Sequence, residues 1–303
     1  MAFLQPKSLN PENTVLAIRQ ALVWAGTYLQ SAEIPDPRLS AELLLGSVLG
    51  LDRAKIVVSL DEGLTEITWQ SFKEKVFRRA QHEPIAYLVG QKEFWSLDFS
   101  INPSVLIPRP ETELLVEEAL KTLAQRAEGN TLVELGTGSG AVSIALAKSM
   151  VRGKTVRILA TDLSWPALQT ARKNAFRHGV ENLISFVQGN WLQPFSFNRR
   201  WIDLLISNPP YISESDIFHL PLTVKGYEPI KALSGGRDGL EALRAILQQA
   251  GQQLKIGGRL ILEIGESQGD RVLKLAAEQQ YFNALIRRDY SGKERILTAC
   301  YHG

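Results

Sequence analysis

Apolar residues recur at helical spacing in the first part of this chain and switch, beyond residue 130, to short and nearly continuous runs. Residues 1–82 therefore read as helical. Asn10-Pro11 suits an N-cap followed by proline at the first helical position, and Val15, Leu16, Ile18, Leu22 and Val23 then recur with helix-like periodicity. A second helix begins near Pro37 and carries Leu39, Leu43, Leu44, Val48 and Leu49. A third, after Thr68, sets Trp69, Phe72 and Val76 on one face. Such stripes predict a small bundle packed on itself, with partner docking as a further role.

Between residues 83 and 110 the pattern changes. Glu83-Pro84 stops the helix, and residues 94–101 alternate as the arms of a hairpin linker would. Pro108-Arg109-Pro110-Glu111-Thr112-Glu113 then introduces a helix through Leu114, Leu115, Val116 and Leu120. From Thr131, strands over 131–135, 155–161, 183–188, 202–207 and 258–264 are expected, with helices from about Gly140 and over 167–178. Such alternation implies right-handed βαβ crossovers and a mostly parallel, Rossmann-like α/β sheet. Residues 282–289 and 294–301, joined by Tyr290-Ser291-Gly292-Lys293, predict an antiparallel hairpin at its edge. The division is a helical domain over 1–82, a hairpin linker over 83–110 and an α/β domain over 111–303.

Composition narrows the function. The chain has 303 residues, 45% of them hydrophobic, which is ordinary for a folded protein with one large and one small domain. Its net charge is +2, and residues 1–80 carry nine charges of each sign, so salt-driven nucleic-acid binding is not expected. The single cysteine, Cys300, cannot form an internal disulfide and reads as a small apolar filler in a terminal strand. His82, His178, His219 and His302 lack ligand-like spacing, so no metal site is expected. The opening residues lack a basic segment followed by an apolar run, and nowhere do about eighteen apolar residues occur together; the expectation is a cytoplasmic protein.

Candidate chemistry gathers at strand ends. Glu134-Leu135-Gly136-Thr137-Gly138-Ser139-Gly140 closes the first parallel strand and opens a helix, where glycines let backbone approach a ligand. Gly136, Gly138 and Ala141 also satisfy the dinucleotide pattern, and a plain tight turn is the remaining alternative. Asp162 ends the second strand, placed either to accept from ribose hydroxyls or to cap the next helix. Asn190 and Trp191 follow the third; they suit an adenine amine and the face of its ring, against a core role for the tryptophan.

Asn208-Pro209-Pro210-Tyr211 ends the run 202–207 in a rigid turn. Two prolines fix φ and lack N–H donors, so nearby carbonyls are left to face a ligand together with the Asn208 amide. That set suits a planar NH2 group.

Taken in order, Arg109 in its Pro-Arg-Pro-Glu-Thr-Glu segment, the Glu134–Gly140 loop, Asn208 to Tyr211, and Gly226-Tyr227-Glu228-Pro229 followed by Ala232-Leu233-Ser234-Gly235-Gly236 resemble the protein-(glutamine-N5) methyltransferases of the PrmC or HemK type. The likeness spans essentially the whole chain. It implies an S-adenosylmethionine-dependent methyltransferase sheet and transfer of methyl from S-adenosylmethionine to the glutamine nitrogen in the Gly-Gly-Gln loop of peptide-chain release factors. Glu134, Gly136, Thr137, Gly138, Ser139, Gly140, Asp162, Asn190, Trp191 and Asn208 are the cofactor residues so implied. Glu134 would accept from the methionine amino group, or else cap a loop N–H.

Asn208, Pro209 and Tyr211 are the catalytic candidates, and with Pro210 they form the substrate site. Asn208 Oδ1 and the Pro209 carbonyl would hold both substrate N–H groups, with Tyr211 packed on the glutamine or serving as a wall of the turn. Two residues depart from the family pattern, Asn190 and Glu134 each standing where Asp is common. Arg109, Glu111 and Glu228 read either as channel wall or as structural charges and receive no catalytic role. A monomer acting on release factors, without direct nucleic-acid or membrane contact, is expected. The alternatives are a DNA or RNA amino-group methyltransferase acting on N6 of adenine or N2 of guanine, a non-catalytic partner-binding module, and a dehydrogenase.

Overall fold

Residues 14–126, 130–150, 156–195 and 199–303 are described in the computed structural model. The chain divides into two units, one running to Gly90 and including Leu222–Tyr227, the other formed by Gln91–Pro221 and Glu228–Gly303.

The first unit opens with a short strand, β1 (Thr14–Ala17), before α1 (Ile18–Ser31). Val15 and Leu16 were expected in a helix; instead Leu16 faces Leu64 and Ala17 faces Gly63 of β2 (Gly63–Thr65) in antiparallel register. The segment before β2 also accepts from the first free amides of α1, Ile18 N to Glu62 O at 2.9 Å and Arg19 N to Leu60 O at 2.9 Å. Asn10-Pro11 lies outside the described residues.

Three further helices follow the expected pattern or fill gaps in it: α2 (Pro37–Leu49), with Pro at its first turn and Gly50 left-handed at its end, α3 (Arg53–Val58) and α4 (Glu66–Ala80). On α2 the buried face is Ser40, Ala41, Leu44 and Leu45, while Leu39 and Leu43 are each 38% exposed. The stripe is thus rotated toward small residues. Ile18, Ala25, Leu29, Leu44, Ile56, Phe72, Val76 and Leu88 share one core. Leu88 comes from α5 (Ile85–Val89), so this core continues past residue 82. Neither α3 nor α5 is long enough to show a period.

The second unit begins with the hairpin β3 (Gln91–Phe94) and β4 (Leu97–Ser100), turned by Trp95 and Ser96, both at positive φ. A 3-10 turn at Pro110–Thr112 leads into α6 (Glu113–Ala124). Then come β5 (Asn130–Leu135), α7 (Ala141–Ser149), β6 (Val156–Asp162), α8 (Trp165–Arg177), β7 (Ile184–Gln188) and β8 (Ile202–Ser207). The chain closes with α9 (Glu241–Gln253), β9 (Leu254–Glu263), α10 (Gly269–Glu278), β10 (Tyr281–Arg288) and β11 (Glu294–Tyr301).

One seven-stranded sheet results, in the order β10-β11-β9-β8-β5-β6-β7. β7, β6, β5, β8 and β9 are parallel, and β11 and β10 add the expected antiparallel hairpin. Its interior strands are mostly apolar because both faces are covered: Val133, Leu135, Leu205, Leu260 and Leu262 are 0% exposed. Each such side chain contributes about 1.5–3 kcal/mol of burial free energy.

β5 lies between β6 and β8, and its successive crossovers leave on opposite sides. That makes its carboxyl end the topological switch point, where open α/β sheets form a crevice. In register, Leu135 faces Thr161 on one side and Ser207 on the other, so Gly136, Asp162 and Asn208 emerge together at that edge. Among the described residues no helix is long and apolar enough to cross a membrane.

Candidate methyltransferase site

At the switch point lies a cavity of about 410 Å³, within the range of small-molecule sites. Gly136, Gly138, Asp162, Asn190, Trp191 and Asn208 form one side, and Pro210 with Pro229–Ala232 forms another. Gly136, Gly138 and Gly140 have φ of +70°, +56° and +82°, a left-handed conformation that side chains rarely adopt. At Gly136 a Cβ would lie 3.7 Å from the Trp191 ring, so bare backbone and an indole stand next to one another on the cavity wall.

Asp162 is tied to the loop and to its own turn. Oδ2 accepts from Gly138 N at 2.8 Å and Oδ1 from Ser164 N at 2.8 Å. Each oxygen retains a lone pair for a hydroxyl. Burial pushes the carboxyl up from its ordinary value, opposed by these N–H groups. The helix-cap reading passes to Ser164, whose hydroxyl accepts from Ala167 N at 3.3 Å.

Behind the wall, Glu134 holds the loop in shape. Oε2 accepts from Thr137 Oγ1 at 2.7 Å, from Ser143 N at 3.2 Å and from the Ser143 hydroxyl. Burial pushes its carboxyl up to about 7, against the pull of those donors. Asn174 on α8 binds Ser139 O and Ser100 O, both at 2.9 Å, joining the loop to the hairpin. Thr137, Ser139 and Gly140 likewise shape the loop and are absent from the cavity wall.

Asn208 belongs to a chain of side-chain hydrogen bonds. Its Nδ2 donates to Thr112 Oγ1 at 3.1 Å, Thr112 Oγ1 donates to Glu263 Oε2 at 2.7 Å, and Tyr211 OH donates to Glu263 Oε1 at 3.2 Å. Thr112 and Glu263 are 5% and 1% exposed. Among the described residues, no donor reaches Asn208 Oδ1, and Asn208 lines the cavity. Burial pushes the Glu263 carboxyl up to about 7; Thr112, Arg295 and Tyr211 counter this. Burial and then the charge of Glu263 push the Tyr211 hydroxyl up, keeping it a donor.

Backbone clamps fix the same turn. Ile212 N donates to Leu233 O at 3.0 Å and Gly235 N to Ile212 O at 2.9 Å, while Gln268 Nε2 reaches Tyr211 O at 2.9 Å and Gly239 O at 3.1 Å. A Cβ at Gly235 would sit 2.8 Å from Pro210 O, and one at Gly239 2.5 Å from Tyr211 O. Glycine there is a condition of close approach.

The N-terminal residues 20–90 match a family profile described as the PrmC N-terminal domain, and residues 127–297 match a methyltransferase domain. The release factor glutamine methyltransferase of Moorella thermoacetica is 40% identical over 285 residues, 94% of this chain and 98% of that protein. The protein of that name from Nitratidesulfovibrio vulgaris is 40% identical over 294 residues, 96% and 98% of the two chains. This chain belongs to the release factor glutamine methyltransferases. Among solved structures, the T. thermophilus 16S rRNA methyltransferase RsmC, in complex with AdoMet and guanosine, shares the fold at 14% identity and a TM-score of 0.50, covering 70% of this chain and 50% of that one. S-adenosylmethionine is the usual methyl donor of such domains.

In this release factor glutamine methyltransferase the residues singled out from sequence fall into two groups. Gly136, Gly138, Asp162, Asn190, Trp191, Asn208 and Pro210 meet at the cavity, whereas Glu134, Thr137, Ser139, Gly140, Pro209 and Tyr211 stand behind it. Trp191 lines the cavity and also packs against the sheet core, the alternative placement expected for it. Arg109 and Glu228 form an ion pair at 2.5 Å, and Glu228 also accepts from Ile107 N at 3.2 Å. Thr112, Glu263, Gly235, Gly239 and Gln268 had no assigned role. An acid ending the apolar run Leu260-Ile261-Leu262 is the signal that marks Glu263.

Proposed function

We propose that this protein transfers a methyl group from S-adenosylmethionine to the side-chain nitrogen N5 of the glutamine in the Gly-Gly-Gln loop of peptide-chain release factors, in the cytoplasm and as a monomer. One observation carries the reading: the Asn208 amide is anchored through Nδ2 to Thr112, with Oδ1 left without a donor, on the wall that also holds Gly136, Gly138 and Asp162.

The residues present fit the cofactor. Gly136 and Gly138 offer backbone without side chains, Asp162 keeps lone pairs for ribose hydroxyls, and Asn190 and Trp191 stand at the next strand end for the base. When bound, S-adenosylmethionine supplies an electrophilic methyl group.

An amide nitrogen is a poor nucleophile because its lone pair is delocalised into the carbonyl. Asn208 Oδ1 accepts from a substrate N–H group, turns the nitrogen toward the methyl and stabilises the positive charge that grows on it, whereas Pro209, expected to share this role, is buried behind the cavity wall. Fixed orientation of two reactants is worth up to about 7–11 kcal/mol relative to free encounter. No dedicated base is needed, since the methylated amide nitrogen is strongly acidic. Asn190, in place of the Asp common in the family, keeps an acceptor oxygen without charge assistance.

Incubation with methyl-labelled S-adenosylmethionine and a release factor, intact or with its loop glutamine changed to alanine, tests this. Label on the intact protein alone, placed by mass spectrometry on that glutamine, is the expected result. Equal labelling of both would overturn the site, and label on DNA or RNA instead would overturn the substrate class.

A further inference from the structure

Asparagine's two amide ends are nearly identical in shape, so packing alone does not choose which one faces a ligand. Hydrogen-bond polarity does. Glu263 lies on β9 one step beyond Leu262, which faces Ser207 on β8 in parallel register, so its carboxylate meets the start of the Asn208 turn. As a carboxylate it only accepts, and it takes the Thr112 hydroxyl proton at 2.7 Å and the Tyr211 proton at 3.2 Å. With its own proton directed at Glu263, Thr112 Oγ1 presents a lone pair to Asn208. Only the NH2 end of Asn208 complements that lone pair, and it sits there at 3.1 Å. The reversed amide would set Oδ1 against a lone pair and turn its NH2 toward the N–H groups of a substrate amide.

We propose that Glu263 is a positioning residue for methyl transfer, acting through Thr112 to fix the Asn208 amide with Nδ2 inward and Oδ1 toward the acceptor nitrogen. This rests on the role given to Asn208 above. A protonated Glu263 carries a donor of its own, and either Thr112 or Tyr211 must then accept, so the polarity of the relay breaks as pH falls. The groups that set this titration are Arg295 on β11, itself bonded to Asp289 at 3.2 Å, together with Tyr211, Thr112 and Glu111. Of these, Tyr211 and Thr112 lower the Glu263 value as donors, and Glu111 raises it.

The test is kcat and KM for a release-factor substrate across pH, alongside calorimetric affinity for S-adenosylhomocysteine and a thermal melt, for wild type, Thr112→Val, Thr112→Ser, Glu263→Gln and Tyr211→Phe. Thr112→Val should lower kcat about 10- to 100-fold, the scale of a misplaced reactant, with S-adenosylhomocysteine affinity unchanged; Thr112→Ser should restore most of it. Glu263→Gln, one acceptor short, should lower the kcat plateau and abolish its acid limb. Tyr211→Phe removes a donor that lowers the Glu263 value and should move that limb to higher pH. If Glu263→Gln melts early, the Thr112 valine and serine pair still decides. Wild-type kcat in Thr112→Val, or an acid limb that survives in folded Glu263→Gln, would overturn the positioning role. A wild-type protein that leaves the release factor unmethylated would instead overturn the functional reading itself.

Discussion

Ser207 on β8 and Leu262 on β9 face one another in parallel register, so the residues that follow them, Asn208 and Glu263, stand side by side at the carboxyl edge of the sheet. A polar side chain that touches the cavity and a buried acid that does not are thereby set in one hydrogen-bonded unit through Thr112.

Asn208→Ala should reduce kcat about 100- to 1000-fold, the loss typical of removing one preorganised group that stabilises developing charge. Affinity for S-adenosylhomocysteine, measured by calorimetry, should change far less. Retention of wild-type turnover would remove Asn208 from the chemistry.

Two loop glycines should differ in stability. Gly138 has φ +56° with nothing within 4 Å of an added Cβ, so Gly138→Ala should cost about 1–2 kcal/mol from backbone conformation alone. At Gly140, φ is +82° and the Cβ would also meet Ile144 Cδ1 at 2.9 Å and Ala171 Cβ at 3.1 Å. Gly140→Ala should therefore lose more in urea denaturation, and equal losses would show that the contact with α8 yields freely.

Glu134 should make the free protein less stable as pH rises. Its carboxyl is raised from 4.5 to about 7 by burial, so the fold holds the proton more tightly than the unfolded chain. Its contribution is full below about pH 4.5 and is lost as pH rises through about 7, a change of at most about 3 kcal/mol. Glu134→Gln cannot ionise and accepts from Ser143 and Thr137 through its remaining oxygen. Relative to wild type it should gain stability between acidic and mildly alkaline urea titrations; a constant difference would mean that folding leaves the Glu134 carboxyl at its ordinary value.

Arg109→Ala leaves Glu228, 4% exposed, without its 2.5 Å partner. Because the Arg109 side chain is 33% exposed and partly screened, the expected loss is modest, about 2 kcal/mol. Adding Glu228→Gln should recover part of it. A thermodynamic cycle showing no coupling would contradict the pairing.

The sheet was readable from sequence because strands covered on both faces are rich in apolar residues: Ile202–Ser207 and Glu294–Tyr301 fall where the pattern places them. β1 was not, because Leu16 becomes a strand residue only by meeting Leu64, far along the chain. In the site, the residues following strand ends could be named, since the edge of a parallel sheet is where ligands bind. The Thr112–Glu263 bond spans 151 positions and depends on register, which no local motif encodes. Gly235 and Gly239 stood in a legible glycine-rich segment, yet their purpose appears only as the nearness of the Pro210 and Tyr211 carbonyls.

β5 carries the glycine loop and its neighbour β8 carries Asn208, and the two strands are joined by ladder hydrogen bonds from Leu132 opposite Leu204 to Leu135 opposite Ser207. Paired strands sit about 4.8 Å apart whatever their side chains. The sheet thus acts as a ruler between the glycine loop and Asn208, and under the proposed assignment the distance the methyl travels would be set by backbone pairing, which substitutions of side chains leave largely intact.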